Sequence, residues 1–205
     1  MAISFQASLD QTTDGSSIDV GSGSFRCLLV LVMARGGAAT SVTFNGVAMT
    51  QVGITDNSSN AGPAADYNLW ILANPDSGSH VIQSNGGGTV RIAALALNGV
   101  DQVTPYRVGS EAASDFGSTS NPTISVTVNN DNAWVAGYLC NAVGSASAGT
   151  NTQTTGASQY IMGWTPTAQA VGSRSIGLSG TTAGCFLACE IIPFVSPSRG
   201  IIMAA

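Results

Sequence analysis

The sequence contains no lysine; its six basic residues are all arginines, and His80 is its only histidine. Isolated arginines provide no basic track for a phosphate backbone, so nucleic acid is not an expected partner. A Ser, Cys or Thr nucleophile requires a nearby base, and His80 is the one histidine available. It opens the run HVIQS directly after the turn signal NPDSGS, and no G-x-S-x-G elbow occurs. His80 therefore reads as a strand-start residue. Metal-ligand spacing is also missing: there is no HxH, HxxxH or CxxC pair, and DNSSN lacks the spacing and terminal glutamate of a calcium loop. NGGG at 85–88 has no following Lys and sits between two strand-like runs, which reads as a hairpin loop. No metal or cofactor is expected.

Carboxylates can cleave glycosidic bonds without histidine, but the chain has only two glutamates, Glu111 and Glu190. Glu111 lies in a Ser/Ala/Gly stretch. Glu190, in CFLACEIIPF, shares a strand face with Phe186, Ala188 and Ile192, and three readings stay open for it: an acid of raised pKa, a buried partner of an arginine, or an edge residue. Most of the nine aspartates adjoin Gly, Asn, Ser or Pro and serve turns. Long apolar runs are absent. CLLVLVMA and IAALAL fall short of the ~20 residues of a membrane-spanning helix, so no membrane partner is expected. MAISFQASLDQTTDG lacks a basic leader and a continuous apolar core, which predicts synthesis ending in the cytosol.

Charge is scarce: 8% of residues against roughly 25% in an average domain, with 44% hydrophobic and a formal net charge of −5. That balance excludes a disordered chain. It predicts either a surface covered by partners or a neutral Ser/Thr/Asn/Gly surface. The four cysteines, Cys27, Cys140, Cys185 and Cys189, lie inside apolar runs and read as reduced core residues.

What the sequence does contain is more than ten short β-like runs bounded by Gly, Asn, Asp, Ser and Pro, with almost no helical periodicity. In SVTFNGVAMTQV, Asn45-Gly46 predicts a type I′ hairpin turn. TISVTV alternates Ile124, Val126 and Val128 against Ser125 and Thr127, as a strand with one wet face does. Runs around Leu28 to Met33, Ile92 to Leu97 and Trp134 to Cys140 are nearly continuously apolar, so both of their faces should be covered. The fold class is all-β, a two-sheet antiparallel β-sandwich of jelly-roll kind. Residues 1–195 form a single domain and 196–205 a C-terminal arm, with loops at 55–66, 109–121 and 142–158. Trp70 and Trp134 read as core, whereas Trp164, at a strand end in MGWTPT, stays open between core packing and an exposed, glycan-stacking aromatic.

The order SFRCLLVLVMA, SVTFNGVAMTQVG, YNLWILANPDSGSHVIQ, RIAALALNGVDQVTP, and then NPTISVTVNNDNAWVAGY and CFLACEIIPF, resembles a β-sandwich found in phage virion and prophage proteins and in some bacterial surface proteins. The resemblance spans most of residues 3–195 and contains no chemical motif. It implies a jelly-roll-like fold and a non-enzymatic role in the virion: capsid cement or decoration, or a tail accessory. The implied partners are the major capsid protein or other virion proteins, with assembly in the host cytoplasm as a homo-oligomer, taken as a trimer. A glycan-binding tail or fibre module is the alternative. After Phe194, the apolar tip Ile201, Ile202 and Met203 follows a lone Arg199; termini are usually polar, so this tip predicts docking on its own domain or on a neighbour.

Overall fold

The structure, a computed structural model, describes residues 1–57, 65–141, 147–156 and 159–196. Among these residues every regular element is a strand. The first nine are β1 (Ser4–Thr13), β2 (Ser17–Asp19), β3 (Cys27–Ala34), β4 (Val42–Phe44), β5 (Val47–Ala48), β6 (Thr50–Asn57), β7 (Ala65–Ala73), β8 (Ser79–Ser84) and β9 (Val90–Asn98). They form one sheet in the order β1-β9-β3-β7-β6 and a smaller one in the order β2-β8-β4-β5. With β6 set aside, the strands interleave between the two sheets as 1-8-3-6 and 2-7-4-5, which is the double Greek key of a jelly roll.

The same order then recurs. β10 (Ala112–Ser120), β11 (Thr123–Val128), β12 (Trp134–Asn141), β13 (Ser147–Ala148), β14 (Gln153–Thr154), β15 (Tyr160–Trp164), β16 (Gly172–Ser179) and β17 (Thr181–Ile191) form sheets β10-β17-β12-β15-β14 and β11-β16-β13. Strand for strand this repeats the first half, with no counterpart of β5 among the described residues. The all-β antiparallel sandwich expected from the sequence is present, and it is present twice.

The two five-stranded sheets face each other, and each carries its small sheet on the opposite side, so the molecule has four layers. Alternation along the strands assigns the faces. Leu29, Leu31, Tyr67, Leu69 and Leu95 of the first half meet Tyr138, Tyr160, Met162, Trp164 and Leu187 of the second in one shared core. The intervening residues Leu28, Val30, Trp70 and Ile92 pack outward against Ile18, Val42, Phe44 and Ile82. Val135, Leu139, Ile161 and Phe186 do the same against Ile124, Val126 and Ile176. Every residue of β3 and β12 is therefore buried.

Pairing register sets the correspondence between the halves. Cys27 lies opposite Leu97 as Trp134 lies opposite Ile191, and Leu29 opposite Ile71 as Ala136 opposite Trp164. Tyr67 then corresponds to Tyr160, and these two rings meet across the shared core with centroids 5.8 Å apart. β1 lies over β15 and β6 over β17, so the two large sheets run across each other in opposite strand order. The halves pack as two subunits of a dimer would.

Asn45-Gly46 makes the expected turn, with φ of 50° and 77° and Phe44 paired to Val47. β11 shows the predicted alternation, with Ile124, Val126 and Val128 buried. The loop expectations and one hairpin are corrected. Residues 109–121, expected as a loop, contain β10, an edge strand whose backbone pairs with β17; β13 and β14 lie within 142–158, and β6 and β7 run into 55–66. NGGG at 85–88 joins strands of different sheets and is a crossover, not a hairpin. Gly88 passes so close to the Arg35 carbonyl, at φ +63°, that a Cβ there would lie 2.0 Å from its oxygen.

Candidate functional site

The loop between the two sandwiches, residues 99–111, is tied at many points, and Glu190 is its anchor. Glu190 is fully buried near the end of β17. Its Oε2 accepts the Nε–H of Arg107 at 2.9 Å. Its Oε1 accepts the backbone N–H of Asn129 and of Asn130 and the Nδ2–H of Asn130, at 3.0, 2.7 and 2.9 Å. The main chain of Arg107 also donates to the Glu190 carbonyl, and the Glu190 N–H donates to Ser110 Oγ. Of the three readings open for Glu190, the structure selects the arginine partner. A carboxylate held by this many donors is placed to tie the loop to β17.

The rest of the loop is held in the same manner. Asp101 Oδ1 accepts from the N–H of Val103, the N–H of Thr104 and the Thr104 hydroxyl, an Asx-type turn. Gln102 Nε2 donates to the Arg26 and Val100 carbonyls, and the Pro105 carbonyl accepts from the Ile192 N–H. This fixed loop presents two apolar side chains to solvent: Val103, 90% exposed, and Val108, 79% exposed. Beside them lies an uncharged groove of about 410 Å³, lined by Thr50, Ile71, Leu72, Ala73, Gln102, Val103, Pro105, Tyr106 and Val108. Burial, and secondarily Glu111, raises the Tyr106 phenol above its ordinary pKa, so Tyr106 meets the groove as a neutral ring.

The residues with chemical potential are placed for packing. His80 Nε2 lies 2.9 Å from the Ser77 carbonyl, which can only accept, so that nitrogen carries the proton; the ring sets its edge on Phe44 at 5.5 Å. All four cysteines are buried free thiols. Burial pushes Cys27, Cys140 and Cys189 far above the usual thiol range, the opposite of a nucleophile's environment. No cluster of three or more His, Cys, Asp or Glu fit to hold a metal occurs among the described residues.

Of the two readings open for Trp164, packing and an exposed glycan contact, the structure selects packing. The residue is 3% exposed, and Phe5 lies flat on its ring at 5.4 Å, covering the face a sugar would need. Arg199, Ile201, Ile202 and Met203, the expected partner contacts, lie outside the described residues. Sequence reasoning missed Arg107, Val103 and Val108. The nearest signal was GVDQVTP, in which Asp101 and Pro105 mark a break in the strand pattern but not the exposure of Val103.

Compared with protein-family models, with curated proteins and with solved structures, the chain matches none.

Proposed function

We propose that this chain is a non-enzymatic structural protein of a phage virion, a capsid cement or decoration protein that binds other virion proteins. The observation that carries this reading is the loop at 101–108. It holds two valines in water on a backbone fixed by Asp101, Gln102 and Glu190, next to an uncharged groove. Exposed apolar side chains gain nothing in water, and a rigid loop loses little further entropy when a partner covers it. Paired jelly rolls and low surface charge suit such a role, because contacts repeated over a lattice add by avidity and need not be individually strong.

The glycan-binding alternative draws no support from Trp164, whose faces are covered. The enzymatic alternative draws none from Glu190, which is tied to Arg107 and Asn130. The test is co-sedimentation of the purified protein with virus particles stripped of it. The protein is expected to pellet with particles, and a Val103→Asp/Val108→Asp variant to pellet less. Wild-type protein that stays in the supernatant at all concentrations contradicts the proposal.

A further inference from the structure

The two halves contain the same junction twice, once filled and once open. Phe5 and Tyr106 hold equivalent positions, opposite Leu97 and Ile191, and Trp164 and Ile71 are equivalent by register. On one side Phe5 covers the Trp164 indole with the rings 5° from parallel, and the space is occupied. On the other, Tyr106 shares its surroundings with Ile71, whose smaller side chain leaves the uncharged groove of about 410 Å³. The groove is a site in which this fold elsewhere seats an aromatic side chain of its own.

We propose that the groove receives the C-terminal segment 197–205 of a neighbouring copy, with Ile201, Ile202 and Met203 as the inserted side chains. The chemistry matches: the lining carries no charge, and the loop that forms it is bracketed by Asp101 and Glu111, while the segment's one charged residue is Arg199. The path of the chain selects the neighbour. Pro193 pairs antiparallel with Val100, and Phe194 donates its N–H to Gly99, so successive residues run away from Gln102 and the groove. Val195 and Ser196 lie with Met1, Ala2, Asp131 and Asn132 on that far side. From Ser196, the five residues to Ile201 span at most about 17 Å.

The inference rests on reading this surface as an assembly surface, but not on the particle to which the assembly attaches. It is tested by light scattering after size exclusion on the full chain, on a version ending at Ser196, and on full chains carrying Ile71→Trp or Val103→Asp/Val108→Asp. Every strand among the described residues ends by Ile191, so the version ending at Ser196 retains all of them. Ile71→Trp gives the open junction the residue that fills the other one. The full chain is expected to run as a discrete oligomer, and the other three at the mass of one chain. A synthetic peptide of residues 197–205 should bind the shortened protein, and more than about tenfold more weakly when Ile71→Trp is added.

A full chain at monomer mass overturns the proposal, including the case in which the peptide binds because each tail serves its own groove. An oligomer that survives truncation, or survives both groove variants, also overturns it. Should Ile71→Trp fail to fold by circular dichroism, the valine variant decides, since both valines are exposed. A monomeric chain that still pellets with particles removes this inference alone; an oligomer that never pellets removes the functional reading alone.

Discussion

Arg107→Ala would leave the buried Glu190 carboxylate without its cation. Oε1 would keep its three donors from Asn129 and Asn130, while Oε2 would lose the 2.9 Å contact with Arg107. Breaking a buried pair by removing one partner costs about 3–5 kcal/mol. Arg107 is itself 40% exposed, so water can reach the vacated position, and the retained hydrogen bonds hold the charge. Both effects place the expected loss lower, at about 2–3 kcal/mol. For a chain of this size that is a fall in Tm of roughly 4–12 °C. Urea unfolding at fixed pH should show a lower midpoint with an unchanged slope. The double variant Arg107→Ala/Glu190→Gln should be less destabilised than the sum of the singles, because no charge is then left buried. A single variant within about 0.5 kcal/mol of wild type, or strict additivity of the two, would refute the assignment of Glu190 as the loop's anchor.

Three further outcomes are expected. Trp164→Ala should cost about 3–5 kcal/mol in chemical denaturation, as loss of a large core residue does; an unchanged midpoint would return Trp164 to the surface. Gly46→Ala and Gly88→Ala both place a side chain at positive φ, but only Gly88 faces a backbone oxygen. Gly46→Ala should therefore lose about 1–2 kcal/mol and Gly88→Ala distinctly more, and equal losses would mean that the Arg35 carbonyl yields. In the native protein the cysteines should resist a thiol reagent at pH 8 and all four should react after denaturation, since burial holds Cys27, Cys140 and Cys189 protonated there. Rapid native labelling would contradict the shared core.

Much of the fold was readable because β patterning is local. The Asn45-Gly46 turn, the alternation of Ile124, Val126 and Val128, and the doubly covered runs at β3, β9 and β12 all appear where the residues place them. Those runs also implied more than two layers, since a two-sheet sandwich covers only one face of each sheet. The duplication was illegible because register-equivalent positions exchange one apolar residue for another, Cys27 for Trp134 and Leu29 for Ala136, so burial is kept while the letters are not. β10 was missed because AASDFGSTS has weak strand propensity and owes its conformation to pairing with β17. Trp164 illustrates the reverse case. Its neighbours TPT suggested a surface, while its parity with Tyr160 and Met162 already placed it on the buried face. At the site, an arginine's partner was only one of three readings open for Glu190, and choosing it depends on Arg107, brought from 83 residues away along the chain. The exposure of Val103 and Val108 depends on a backbone path that no periodicity encodes.

The proposal that this chain is a structural part of a phage virion is tested most directly by quantitative mass spectrometry of purified particles. The account predicts peptides of this chain at many copies per particle, in constant ratio to the major capsid protein across preparations. Particles that carry all their other structural proteins and none of this chain would contradict it.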